Sequence, residues 1–278
     1  MNIFCPSEED KKQILMALES THITKRRTYC YQDHVVKLAD LDYSEAILFT
    51  PQALANLEGT WKRDIHHTNP VGVHVTNSDT FDAAQQLDKT LVLNFCNGEY
   101  PGGGFLYGAS SQEESLCRRS TLYASLTSTA AEQMYTFNRA SQDKVGSDHM
   151  IFSPNVAVFR NVQGELLEKP FYVSILSVPA PDRAVKAKDV PQSEIEFSVK
   201  KRLRGFFMVA AAHGFQSVVL GAWGCGAFGN SPWDVAKAFR ELLENEGFGK
   251  YFEDIVFAIN SPDNEAVFRK VLSNMRRV

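Results

Sequence analysis

Two periods of hydrophobic residues divide most of this chain into alternating strands and helices. A period-two apolar run predicts a strand at Val71–Val75, and short, more apolar runs predict strands at Thr90–Phe95, Val156–Phe159, Phe171–Leu176, Ser217–Leu220 and Ile255–Ile259. Apolar residues spaced by three and four predict helices at Asp79–Leu87, Gln112–Leu126, Ser193–His213, Pro232–Glu246 and from about Asp263 onward. Strands alternating with helices predict an α/β fold in three layers, with a mixed, mostly parallel sheet covered on both faces.

The first seventy residues read differently. Ser7, followed by Glu8, Glu9 and Asp10, opens a helix to about Glu19, with acids at the positive end of its dipole. A basic stretch (Lys25, Arg26, Arg27) and a second helix at Pro51–Trp61 follow. Their apolar faces are short, so residues 1–70 are expected to be a helical extension packed on a core formed by residues 71–278. No repeat, low-complexity tract or Pro/Ser linker divides the chain, which predicts one structural domain overall.

Composition narrows the function. A length of 278 residues with 44% hydrophobic and 22% charged residues suits a globular protein with a sizeable core. The net charge of −4 argues against a protein that tracks the backbone of nucleic acid, and no sequence-specific nucleic-acid partner is predicted. Lys200, Lys201, Arg202 and Arg204 share one predicted helix and read as a solvated face, with attraction of a polyanion as the alternative. Five cysteines without a C-x-x-C fit reduced thiols better than a disulfide framework or a zinc knuckle. No stretch of 18 apolar residues and no secretory-type N-terminus occur, so the expectation is a soluble, cytoplasmic protein without a membrane partner. His66 and His67 sit together in a polar segment and read as surface histidines; neither a metal nor a cofactor is predicted.

Two glycine-rich loops carry the candidate chemistry. The first, Cys96-Asn-Gly-Glu-Tyr-Pro-Gly-Gly-Gly-Phe105, leaves a strand and holds three consecutive glycines, Gly102, Gly103 and Gly104. Such a run suits backbone that approaches a ligand closely or takes positive φ, and the alternative is a flexible surface turn. The second, Gly221-Ala-Trp-Gly-Cys-Gly-Ala-Phe-Gly-Asn230, joins a strand to a helix that starts near Ser231 and Pro232. Free N–H groups and a helix N-terminus together suit a diphosphate. It is neither a Walker loop, lacking G-K-[ST], nor a dinucleotide fingerprint. Trp223 and Trp233 read as packing around this loop, and Cys225 lacks a neighbouring base that would make it a nucleophile.

Beside the first loop stand Gln112, Glu113 and Glu114. Adjacent helical residues point about 100° apart, so only one glutamate can aim squarely into a crevice. A single glutamate would then serve as acid first and base later, unlike the usual pair of flanking carboxylates. Ser111-Gln-Glu-Glu114 also has the spacing of a capping box, so Glu114 could instead close the helix start. Arg118, four residues on, favours the ionised glutamate, whereas a general acid needs burial to hold its proton. Arg118 and Arg119 are open to two readings, support of the glutamates or solvation of the helix.

The stretch Asn94-Phe-Cys-Asn97, then Pro-Gly-Gly-Gly104, then Gln112-Glu-Glu114, together with Gly221–Gly229, resembles the poly(ADP-ribose) glycohydrolase family in its bacterial-type branch. The resemblance spans about Val71 to the C-terminus. It implies a macrodomain-like fold, α/β/α in three layers, and hydrolysis of ribose–ribose O-glycosidic bonds in poly(ADP-ribose). The substrate would be the polymer or an ADP-ribosylated protein, and the product ADP-ribose. The resemblance makes Glu114 the general acid/base, Glu113 a holder of ribose hydroxyls and Asn97 a contact of the reacting ribose. Gly224, Cys225, Gly226 and Ala227 would cradle the diphosphate, and Phe228 would pack on the bound ADP-ribose. The tyrosine-bearing segment of animal members has no aligned counterpart here, and the bacterial-type branch implies cleavage at the chain end. Two rivals stand beside this reading: an ADP-ribose-binding macrodomain without activity, and a hydrolase of a mono-ADP-ribosyl linkage.

Overall fold

The computed structural model describes residues 6–61, 72–273 and 275. A central sheet of seven strands has the order β3-β6-β7-β5-β8-β9-β4. Its strands are β3 (Ile47–Phe49), β4 (Gly72–Thr76), β5 (Thr90–Asn94), β6 (Met150–Arg160), β7 (Leu166–Ser177), β8 (Ser217–Leu220) and β9 (Asp254–Ala258). The β7-β5-β8-β9-β4 stretch is parallel, whereas β6 runs antiparallel to both β3 and β7. The sheet is therefore mixed and mostly parallel, as the alternation of periods predicts.

The pleat sorts apolar residues onto two faces, each with its own core. Leu91, Leu93, Val218, Leu220, Ile255 and Phe257 face one side. There they meet α2 (Pro51–Glu58), α7 (Gln192–Ala212), α8 (Pro232–Glu244) and α9 (Pro262–Leu272). The intervening Val92, Val219 and Val256 point to the other side. That face is covered by α1 (Glu8–Arg26), α3 (Thr80–Ala84), α4 (Gln112–Arg119), α5 (Leu122–Leu126) and α6 (Thr129–Ala140). Strands buried on both faces carry continuous hydrophobic sequence, which is how β5 and β8 read.

The N-terminal segment is helical only in part. Between α1 and α2 lie a hairpin, β1 (Thr28–Tyr31) with β2 (His34–Lys37), and β3, which pairs with β6 as an edge strand of the main sheet. These strands are three or four residues long, too short for a period to declare itself. The expected boundary at residues 70 and 71, and His66 with His67, lie outside the described residues.

Two further expectations are corrected. The helix predicted over Gln112–Leu126 is two helices, because Ser120 takes extended backbone (φ −149°) and bridges Val158 while Thr121 N–H donates to Ala157 O (3.0 Å). Tertiary pairing with β6 overrides helical spacing there. On α7, Arg202 is buried, not solvated: its guanidinium donates to Asp148 Oδ1 (3.0 Å) and to the carbonyls of Pro179, Val145 and Gly146 (2.9, 2.9 and 2.7 Å). Lys200, Lys201 and Arg204 pair with Glu241, Asp148 and Glu246, so this helix offers no run of free cations to a polyanion.

Candidate active site

A cleft of about 560 Å³ opens where β4, β5, β8 and β9 leave the sheet at their C-terminal ends. Ligand sites of open α/β sheets form at these ends, where loops of several strands converge. The second glycine loop and the Gln112–Glu114 segment line this one cleft, and the first loop reaches it through Asn97, while Gly102, Gly103 and Gly104 lie behind the lining, against Tyr123, Glu114 and Ala109.

The helix α4 is stitched to the end of β5 by Gln112. Its Nε2 donates to Leu93 O (3.0 Å) and its Oε1 accepts from Phe95 N–H (2.9 Å), extending the ladder where the strand stops. That bond pair sets where the next two side chains fall. Glu113 is buried, with Oε1 accepting from Asn94 Nδ2 (3.2 Å) and Oε2 from Asn97 N–H (2.8 Å). Asn94 is itself held by Ser177 Oγ at 2.9 Å. Glu114 accepts from Gly104 N–H through Oε1 (2.9 Å), and its Oε2 makes no bond among the described residues.

The triple glycine is a steric requirement, not a flexible turn. Gly102 and Gly103 have φ of +69° and +56°, which disfavours any side chain. A Cβ on Gly103 would lie 2.4 Å from Glu114 Oε1, and one on Gly102 2.9 Å from the Tyr123 ring. The capping-box alternative for Glu114 is excluded: Ser111 makes no side-chain cap bond, and the Glu114 carboxyl is bonded to Gly104 instead.

Burial pushes the Glu113 carboxyl up to about 8, overcoming the Asn97 N–H that favours its charge and aided by the neighbouring Glu114. Two adjacent acids therefore sit in different surroundings, Glu113 bonded at both oxygens and Glu114 at one. Asn97 folds its Oδ1 back onto the N–H groups of Glu99 (2.8 Å) and Tyr100 (3.0 Å), which leaves Nδ2 without a protein partner among the described residues.

The second loop forms the facing wall. The N–H groups of Gly226, Ala227 and Phe228 donate to no protein acceptor among the described residues, whereas the Cys225 N–H is taken by Ala222 O (3.1 Å). Of the expected cradle, Gly224, Gly226 and Ala227 line the cleft with N–H groups that have no protein acceptor among the described residues, and Cys225 does not; burial pushes its thiol up to about 12 and keeps it protonated. The start of α8 does not line the cleft. Ser231 caps it by accepting from Asp234 N–H, and both residues border a separate groove between α7 and α8. Trp223 is fully buried and its Nε1 donates to Val178 O (2.8 Å), while Asn230 Nδ2 donates to Pro181 O (2.8 Å) and Gly224 O (3.0 Å). The loop thus hangs from the segment that follows β7.

Sequence reasoning passed over Asn260, Ser261 and Asn264, which line the cleft beyond β9, and the Ser177–Asn94 support beneath Glu113. Asn94 stood next to the motif, but nothing in its spacing marks the partner eighty-three residues away. No group of three or more His, Cys, Asp or Glu side chains is gathered for a metal among the described residues, and no helix there is long and apolar enough to cross a membrane.

Carboxyls of unequal environment on one wall and unused N–H donors on the other suit acid–base hydrolysis of a glycosidic bond beside a phosphorylated group. The class is that of a glycoside hydrolase built on a macrodomain-like scaffold. The family model for the catalytic domain of microbial-type poly(ADP-ribose) glycohydrolase (PARG) matches residues 11–161. The crystal structure of PARG from Thermomonospora curvata is 37% identical over 94% of this chain and 99% of that one, with a TM-score of 0.88. Its complex with the inhibitor ADP-HPD aligns at a TM-score of 0.85, with 36% identity over the same shares of both chains. PARG from Deinococcus radiodurans in complex with ADP-ribose is 38% identical over 86% of this chain and 98% of that one, with a TM-score of 0.77. Comparison with curated proteins finds no match. The chain belongs to the microbial-type PARG family and is a glycoside hydrolase.

Proposed function

We propose that the chain releases ADP-ribose from the free end of poly(ADP-ribose), including polymer carried on proteins, with Glu114 as the general acid and then the base. The observation that carries this reading is the asymmetry of the Glu114 carboxyl: Oε1 is fixed by Gly104 N–H, and Oε2 is free in a cleft wall. A proton on Oε2 passes to the departing 2′-oxygen of the preceding unit as the bond from the terminal ribose C1″ breaks. The electron pair leaves with that oxygen, and an oxocarbenium-like ribose remains. The same carboxylate then takes a proton from water as the water oxygen bonds to C1″, which restores the acid.

The other groups take supporting parts. Glu113 and the free Asn97 Nδ2 face the hydroxyls of the reacting ribose. The N–H groups of Gly226, Ala227 and Phe228 receive the diphosphate, as the ADP-ribose complex of the Deinococcus radiodurans relative makes reasonable for this cleft. Gln112 and the triple glycine act by position, since the Gln112 amide is bonded at both ends, to Leu93 O in β5 and to the N–H of Phe95 just after it. The test is release of ADP-ribose from an automodified poly(ADP-ribose) polymerase by the wild type and by Glu114→Gln. The variant is expected to keep its affinity for ADP-ribose and to lose turnover by about a thousandfold or more. Normal turnover by Glu114→Gln overturns the assignment, and ADP-ribose binding without release by the wild type points to a non-cleaving reader.

A further inference from the structure

Arg118 is buried on α4, one turn beyond Glu114, and lines no part of the cleft. Burial lowers its guanidinium and the charge of nearby Glu114 opposes that, yet the two form no ion pair within 4.0 Å among the described residues. Its Nη1 instead donates to Ala109 O (2.6 Å). The Ala109 N–H donates to Gly104 O (3.2 Å), and the Gly104 N–H holds Glu114 Oε1 (2.9 Å). With the helical turn from residue 114 to 118, these three bonds close a ring around the acid. The ring is tight at its far side, where a Cβ on Gly104 would lie 2.6 Å from Ala109 Cβ. It is also backed from outside: Ser20 Oγ on α1 donates to Arg118 O, and Gly108 packs on the backbone and Cβ of Asp10.

We infer that Arg118 is a positioning residue for the Glu114 carboxyl, acting through the Gly104–Ala109 turn, with α1 as its brace. The inference rests on the reading of Glu114 as the acid. Phe105 anchors the start of the turn in the core, its ring 4.7 Å from that of Tyr123, but no other hydrogen bond joins the Ala109 end to α4 among the described residues. Tyr107 N–H also bonds Gly104 O (2.9 Å), but that bond lies within the turn and does not join it to α4. Without the guanidinium the turn can shift relative to α4, and Gly104 N–H no longer fixes which way Oε2 points. Misplacement of a reacting group by about 1 Å can cost on the order of a hundredfold in rate. The diphosphate contacts on the second glycine loop lie apart from this turn, and the ribose contacts Glu113 and Asn97 are held by their own bonds to each other and to Asn94, so both stay in place.

The test compares Arg118→Met and Arg118→Lys in the full chain, reading kcat and KM for polymer cleavage and the affinity for ADP-ribose by calorimetry. Arg118→Met is expected to lower kcat by about tenfold or more, with KM and ADP-ribose affinity within about threefold of wild type. Arg118→Lys, whose ammonium can reach Ala109 O, is expected to recover most of kcat. An unchanged kcat in Arg118→Met overturns the inference. So does a parallel fall of kcat and affinity without rescue by lysine, because a merely structural arginine would damage the whole cleft. If Arg118→Met does not fold, Arg118→Gln carries the same test, with a donor kept but its reach shortened. Glu114→Gln measured alongside separates the two claims. Turnover by that variant removes the acid assignment, whereas an inactive Glu114→Gln beside a fully active Arg118→Met removes only the role of Arg118.

Discussion

Gly103 and Glu114 fit so closely that a methyl group on Gly103 would stand 2.4 Å from Glu114 Oε1 and 3.4 Å from Glu113 Oε2. The glycine is required at this place by the carboxyls as much as by its own positive φ of +56°. Gly103→Ala is expected to turn the Glu114 carboxyl off its bond to Gly104, lowering kcat by about tenfold or more. Left-handed backbone adds a stability cost of about 1–2 kcal/mol. Initial rates of ADP-ribose release and thermal unfolding check the two effects separately; a variant with wild-type kcat would contradict the packing described.

Glu113 makes stability depend on pH in an unusual direction for a carboxylate. Its group sits near 4.5 when unfolded and is pushed up to about 8 in the fold. The folded state therefore binds the proton more tightly, and stability from this group is fully present below about pH 4.5 and lost as pH rises through about 8. Glu113→Gln removes the titration. The wild type is expected to lose stability relative to Glu113→Gln between pH 5 and 8, by an amount on the order of several kcal/mol. Denaturant midpoints of both proteins across that range supply the check; parallel curves would mean that Glu113 stays ionised on its two donors.

How much of this was legible in the sequence differs by element. Leu91, Val92 and Leu93 send successive side chains to opposite cores, so β5 is apolar without a break and could be read as a buried strand. The helix α6 was passed over although Ala131, Met134, Tyr135 and Asn138 are its buried residues at helical spacing, because alanine and asparagine make a faint apolar stripe. The break at Ser120 depends on its bridge to Val158, a contact between segments far apart in sequence. In the site, the glycine runs and the glutamates could be read as motifs. The loss of the Cys225 N–H to Ala222 O could not, since which amides of a loop stay free is set by how the turn closes.

Arg202 offers a test of stability away from the cleft floor. One guanidinium, 1% exposed, ties Asp148 and three carbonyls from the segments that follow α6 and β7. Arg202→Met leaves the three carbonyls without their donor and Asp148 with Lys201 alone, and removing one partner from a buried pair costs about 3–5 kcal/mol. Because Pro179 begins the segment from which the second glycine loop hangs, affinity for ADP-ribose is expected to fall along with the melting temperature. A melting temperature within a degree or two of wild type would show that the network does not hold these segments.

The second loop contains two glycines that answer different demands, and alanine at each separates them. Gly224 has φ +72°, and a Cβ there would meet Ala180 Cβ and Asn230 Nδ2, both at 2.7 Å. Gly224→Ala is expected to destabilise the fold by about 1–3 kcal/mol, through strained backbone and overpacking. Gly226 has no such conflict: its φ is not positive, and a Cβ would meet nothing within 4 Å. That empty space belongs to the cleft, beside N–H groups that have no protein acceptor among the described residues. Gly226→Ala should therefore unfold at the wild-type temperature and yet bind ADP-ribose less tightly, by about tenfold, since its methyl group occupies room beside the proposed diphosphate. Calorimetric titration with ADP-ribose, paired with thermal unfolding of both variants, decides the matter. Undiminished affinity in Gly226→Ala would place the diphosphate elsewhere in the cleft, whereas lost affinity at full stability would assign it to this loop.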